Sequence, residues 1–111
     1  MFKNMEYTFN EANFEAEVVQ SSVPVFIDFW AAWCGPCQMM GPVVEQIAHE
    51  MDSGKVKIGK VNVDENGAIA AKFQILSIPT FIMVKNGVEV DRTVGGMTKE
   101  KLQAFIEKNL A

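Results

Sequence analysis

Two cysteines separated by two residues, Cys34-Gly35-Pro36-Cys37, are the side chains best suited to do chemistry in this chain. That spacing serves either a redox-active dithiol or half of a metal site, and the flanking sequence separates the two. Val23 to Trp30 is apolar at nearly every position and rich in β-branched and aromatic residues, the pattern of a strand covered on both faces. After Gly35-Pro36 the pattern changes to helical period, with Met40, Val43, Val44, Ile47, Ala48 and Met51 recurring at three- and four-residue steps. The pair is therefore predicted at a strand-to-helix junction. Cys34 would occupy the helix N-terminus, where unpaired amides and the positive end of the macrodipole favour thiolate over thiol.

Magnitudes limit what acidity alone explains. A helix terminus contributes at most about 2 kcal/mol, roughly a sixteen-fold gain in thiolate at neutral pH. Intrinsic nucleophilicity falls with pKa and removes a factor of about 4–6, leaving about threefold. The larger advantage is a second thiol held where it attacks a mixed disulfide intramolecularly. On this reading Cys34 attacks and Cys37, one turn on and more buried, resolves. Pro36 fits the first or second helical position, where its missing amide is tolerated, and with Gly35 it forms the ring-closing loop. A structural disulfide is disfavoured, because a 111-residue chain buries roughly 65% of its unfolded surface and needs no staple. Zinc needs about four ligands, and the sequence adds only His49, toward the far end of the helix. Covalent haem needs His after the second cysteine, where Gln38 stands.

Asp28 interrupts the apolar strand, so its carboxyl should be either neutral near pH 7 or paired. A raised carboxyl a few residues from a dithiol is a candidate to accept the Cys37 proton, the alternative being a strand-end turn residue. Lys60 alternates with Ile58 and Asn62, and by period alone it is equally an edge lysine or a partner for Asp28. Trp30 reads as a core aromatic. Trp33, beside an exposed nucleophile, reads as a cover for the sulfur and an anchor for partners.

The elements that must position these groups follow in short steps. Met5 to Phe9 suggests an edge strand, and Asn10 caps a helix with Phe14, Val18 and Val19 on one face, ended by Ser21-Ser22. Pro42 should kink the long helix. Val56 to Val63 forms the next strand, and Asn66 opens a helix reaching about Phe73. Asn86-Gly87 between Thr80–Val84 and Val88–Val94 marks a hairpin, and Thr98 caps a last helix with Leu102, Phe105 and Ile106 inward. The order β-α-β-α-β-α-β-β-α implies an α/β fold, a mixed sheet of about five strands flanked by about four helices, in one domain spanning 1–111.

Composition agrees with one compact domain: 49% hydrophobic and 22% charged, with a formal charge of −4. No basic cluster offers a footprint for nucleic acid. The opening Met1-Phe2-Lys3-Asn4-Met5-Glu6 lacks the ~7–15-residue apolar core of a signal peptide, and no run approaches the ~18 of a membrane span. A cytoplasmic chain in a reducing compartment, not associated with membrane, is expected.

Over almost the whole length, from about Phe9 to Leu110, the sequence resembles the thioredoxin family. The phrases that carry this are Phe29-Trp30-Ala31-Ala32-Trp33-Cys34-Gly35-Pro36-Cys37, Lys60-Val61-Asn62-Val63-Asp64, Ser77-Ile78-Pro79-Thr80, Lys85-Asn86-Gly87 and Val94-Gly95-Gly96, in family order and approximate spacing. The resemblance implies the thioredoxin fold and a monomeric protein-disulfide reductase that needs neither metal nor bound cofactor. A thioredoxin reductase, drawing electrons from NADPH through flavin or from ferredoxin, would recharge it. It further implies Cys34 as nucleophile, Cys37 as resolving thiol, Asp28 and Lys60 in proton transfer, and Trp33, Ile78, Pro79 and Gly95 around the surface that meets client proteins. In the family a cis peptide bond precedes the proline at Pro79. Gln38 departs from the basic residue of many relatives, and Met39-Met40-Gly41 soften the adjoining turn, which bears on partner preference rather than on the reaction. Gly-Pro between the cysteines also differs from relatives with His there, commonly oxidases or isomerases. Two rival readings are a scaffold whose cysteines act as a switch and a metal-site domain.

Overall fold

The structure, a computed structural model, describes residues 5–110; Met1 to Asn4, part of the opening stretch read for a leader, and Ala111 lie outside the described residues. Five strands, β1 (Tyr7–Thr8), β2 (Val25–Trp30), β3 (Lys57–Asn62), β4 (Thr80–Lys85) and β5 (Val88–Val94), form one sheet in the order β1-β3-β2-β4-β5. β1 and β2 run parallel to β3, while β4 is antiparallel to β2 and to β5. The sheet is mixed because β3 returns through a crossover helix whereas β4 and β5 meet at the Asn86-Gly87 turn, where φ is +53° and +78°.

Three α-helices, α1 (Gly35–Glu50), α2 (Gly67–Lys72) and α3 (Lys99–Lys108), cover the sheet. Strand alternation divides the core between its faces. Phe26, Ile58, Phe81 and Met83 point toward α1 and α3, packing with Met40, Val44, Ile47, Leu102 and Ile106. Val25, Ile27, Phe29, Val61 and Ile82 point the other way, toward Phe14, Val18, Ile69 and Phe73. β2 is thus buried on both sides, as its unbroken apolar run requires.

The first predicted helix is different in kind. Residues 11–13 form a turn and Glu15–Val19 a π-helical segment. Asn10 does cap this stretch, its Oδ1 accepting from the N–H groups of Ala12 and Asn13. β1 is shorter than Met5 to Phe9, and α1 runs unbroken through Pro42. α2 opens at Asn66 as expected, with the Asn66 side chain accepting from Glu11 N–H and donating to the Asn62 carbonyl rather than capping the helix. The Glu11 carboxylate instead accepts from Ala68 N–H. Thr98 caps α3 through Lys101 N–H at 3.2 Å.

Gly59 on β3 lies tightly under the side chains of Tyr7 and Phe9. A Cβ there would meet Phe9 Cε2, with Phe9 Cζ at 2.7 Å and Tyr7 Cβ at 2.8 Å. Gly59→Ala should therefore destabilise the protein by about 1–3 kcal/mol through overpacking, read as a lower midpoint in urea unfolding; an unchanged midpoint would contradict this packing of Phe9.

Candidate active site

β2 ends at Trp30, and after four connecting residues the chain enters α1 at Gly35. Cys34 N–H donates to the Ala31 carbonyl at 3.2 Å, folding the connection back on itself. Cys34 is the N-cap of α1 in extended conformation (φ −87°, ψ 114°), and Pro36 lies in the first turn. The sulfur of Cys34 accepts from the Cys37 N–H at 3.2 Å, one of the helix-terminal amides with no partner inside the helix. The two cysteines are joined as a disulfide, with Cα atoms 5.2 Å apart.

Cys34 and Cys37 are 4% and 3% exposed, so the expected contrast between an exposed and a buried sulfur is absent in the oxidised pair. Gly35 and Pro36 are exposed between them. Ala31, Cys34 and Cys37 form a small apolar cluster against Trp30, Val63 and Ile78. The peptide bond between Ile78 and Pro79 is cis, and the Ile78 carbonyl lies 3.8 Å from Cys34 Sγ. Pro79 is buried behind Ile78, and its carbonyl accepts from the N–H of Gly95, whose φ of +97° suits glycine.

Trp33 is 69% exposed and its indole Nε1 donates to Asp64 Oδ2 at 2.9 Å. It borders a groove of about 380 Å³ lined also by Val63, Ala70, Ile75, Leu76 and Ile78. Leu76, 96% exposed, and Asp64 are side chains at this surface that the sequence reading left out. Asp64 was visible as the acid closing the Lys60-to-Asp64 phrase, whereas no local pattern marks Leu76. Gln38, exposed, donates its side-chain amide to the Ala32 carbonyl at 2.7 Å, bracing the loop before Cys34.

Asp28 lies in the middle of β2 on the α1 side, 3% exposed, with no protein hydrogen-bond partner for Oδ1. Burial pushes its carboxyl up to about 7; the charge of Glu6 adds to the rise and Lys60 opposes it. Lys60 is the register neighbour of Asp28 on β3, yet its Nζ is not hydrogen-bonded to that carboxylate. It lies 5.2 Å from the Trp30 ring centroid and 3.9 Å from Glu6 Oε1. Trp30 is half-buried rather than a full core residue, and its Nε1 also lacks a protein partner. Among the described residues, no group of three or more His, Cys, Asp or Glu is placed to hold a metal, and no helix is long and apolar enough to cross a membrane.

A helix-capping disulfide beside an apolar groove, with a buried high-pKa acid on the strand before it, is equipped for thiol–disulfide exchange. The sequence model of the thioredoxin family matches residues 6–108. Among named relatives, the chain is 48% identical to thioredoxin of Haemophilus influenzae over 101 residues, which is 91% of this chain and 94% of that one. It is 48% identical to thioredoxin 1 of Nostoc sp. over 100 residues, 90% and 92% of the two chains. With thioredoxin of Porphyra purpurea it shares 44% over 101 residues, again 91% and 94%. A disulfide spaced Trp-Cys-Gly-Pro-Cys on a five-stranded mixed sheet, matched along nine-tenths of its length, places this chain in the thioredoxin family.

Proposed function

We propose that this chain reduces disulfides in client proteins, with Cys34 attacking and Cys37 resolving. As a thioredoxin-family protein-disulfide oxidoreductase it works through its own cysteine pair, and reductases and disulfide-bearing clients are the general partners of the family. The observation that carries the division of roles is the Cys37 amide directed at the sulfur of Cys34, which stabilises negative charge there. In the reduced protein, the Cys34 thiolate displaces one sulfur of the client disulfide and forms a mixed disulfide. Cys37 then loses its proton, with the Asp28 carboxylate as acceptor, and its thiolate attacks Cys34. The client leaves as a dithiol, two electrons richer, and the Cys34–Cys37 bond is restored. Return to the dithiol requires a thioredoxin reductase, to which NADPH and flavin, or ferredoxin, belong.

Lys60 would stabilise the ionised form of Asp28 once the proton has moved on. Trp33, Ile78, Pro79 and Gly95 would frame the bound client segment, whose apolar side chains suit the groove beside Trp33. Gly35 and Pro36, exposed over the pair, would form the ridge that the client crosses. The protein would act as a monomer in the cytoplasm.

Cys34→Ser should abolish NADPH consumption in a coupled assay of thioredoxin reductase, this protein and insulin, and retained flux would refute the nucleophile assignment. Cys37→Ser should instead accumulate client adducts that survive on non-reducing gels and vanish with dithiothreitol; their absence would reject its resolving role.

Asp28→Asn tests burial and proton transfer together. The folded-state value of about 7 lies above the ordinary 3.8, so the native state keeps a proton that the unfolded chain has lost between those pH values. Wild-type stability therefore falls as pH rises through that window, by roughly 4 kcal/mol at 1.36 kcal/mol per unit. The stability difference between Asp28→Asn and wild type should move in favour of the variant by up to that amount from pH 4 to pH 8.5 in denaturant titrations. Resolution of the mixed disulfide near neutral pH should slow in the same variant. A pH-independent difference, or an unchanged pH–rate profile, would contradict the respective role.

A further inference from the structure

Glu6 stands immediately before β1, and its carboxylate belongs to the same layer as Asp28. In β1, Tyr7 packs with the core of the opposite face, as Phe9 does beyond the strand, so the alternate positions Glu6 and Thr8 belong to the α1 side. Thr8 is the register partner of Lys60, and Lys60 that of Asp28. Thr8, Lys60 and Asp28 are therefore level across β1, β3 and β2, and Glu6, two residues before Thr8 on the same side, brings its carboxylate to Lys60 from the outer edge. The charged side chains along this row are acid, base, acid.

Within it, the ammonium of Lys60 lies 3.9 Å from Glu6 Oε1, and the Glu6 side chain is 12% exposed against 36% for Lys60. A charge at that depth is poorly screened. From α1, Glu45 and His49 also face Glu6, and α1 begins with the Cys34–Cys37 pair. Burial holds the Glu6 carboxyl above its ordinary value, with Lys60 opposing the rise. The ionised Glu6 repels charge on Asp28 and also draws Lys60 toward the edge of the sheet. Both influences act in one direction.

We propose that Glu6 is a positioning residue for thiol–disulfide exchange: by holding Lys60 from its outer side and keeping a second negative charge in the row, it sets the pH at which Asp28 becomes able to accept the Cys37 proton. This rests on the proton-acceptor role of Asp28 proposed above. Removing the charge of Glu6 favours ionised Asp28, so the acid limb of the resolution step moves to lower pH.

The test uses the full chain as wild type, Glu6→Gln and, as a control for net charge, Glu100→Gln on α3. Carbon-13 NMR of the side-chain carboxyls follows the Asp28 titration, and stopped-flow resolution of a preformed mixed disulfide gives the pH–rate profile. In Glu6→Gln both midpoints should fall together by roughly 0.2–0.7 unit, the size expected of a partly exposed charge pair, while Glu100→Gln moves neither. An Asp28 midpoint identical in wild type and Glu6→Gln overturns the role of Glu6, and the acceptor reading survives if the wild-type rate still follows Asp28. A shifted Asp28 midpoint with an unmoved rate profile overturns the acceptor reading, and the proposal with it.

Discussion

The N–H of Cys37 reaches the sulfur of Cys34 because the end of a central strand and the start of a long helix are held with only four residues between them. β2 is paired to β3 on one side and β4 on the other, so its last residues cannot drift. α1 is anchored by Met40, Val44 and Ile47 against the same sheet. Between these two fixed bodies the four-residue connection has one short course, closed by Cys34 N–H on Ala31 and by the Gln38 amide on Ala32. The electrostatic environment of the sulfur is thus a consequence of packing some distance from it. A thiol on a mobile loop would meet the same amides only part of the time, and its partner thiol would lose most of its effective concentration.

That rigid frame also makes room for a carboxyl that an apolar strand would otherwise exclude. Asp28 is flanked on its face by Phe26 and Trp30, and burial dominates its environment. Lys60 lies close enough to moderate the penalty without forming a hydrogen-bonded ion pair, which would hold the carboxyl ionised and below its ordinary value. A carboxyl poised near neutral pH needs this incomplete compensation. The edge strand β1, although only two residues long, takes part by bringing Glu6 to the outer side of Lys60.

The groove beside the disulfide is lined mostly by apolar side chains. Trp33 is steadied by Asp64, Leu76 stands almost fully exposed, and Gln38 directs its amide to the backbone.

Much of this was open to reading from the chain alone. The apolar run of β2, the change of period after Pro36 and the Asn86-Gly87 turn are local signals, each arising from constraints on neighbouring residues, and they locate the cysteine pair at a helix N-terminus. The interrupting Asp28 was equally legible, since a carboxyl in such a run is costly wherever the strand is buried. Pairing between strands was not. Residues 6, 28 and 60 carry no mutual sequence signal; only the order β1-β3-β2 and its register bring Glu6 to Lys60 and Lys60 beside Asp28. The exposure of Leu76, the near-equal burial of both sulfurs and the π-helical turn at Glu15–Val19 likewise depend on distant groups. Hydrophobic period and turn chemistry act over a few residues and are written in the chain, whereas electrostatic surroundings and solvent access depend on which segments the folded chain brings together.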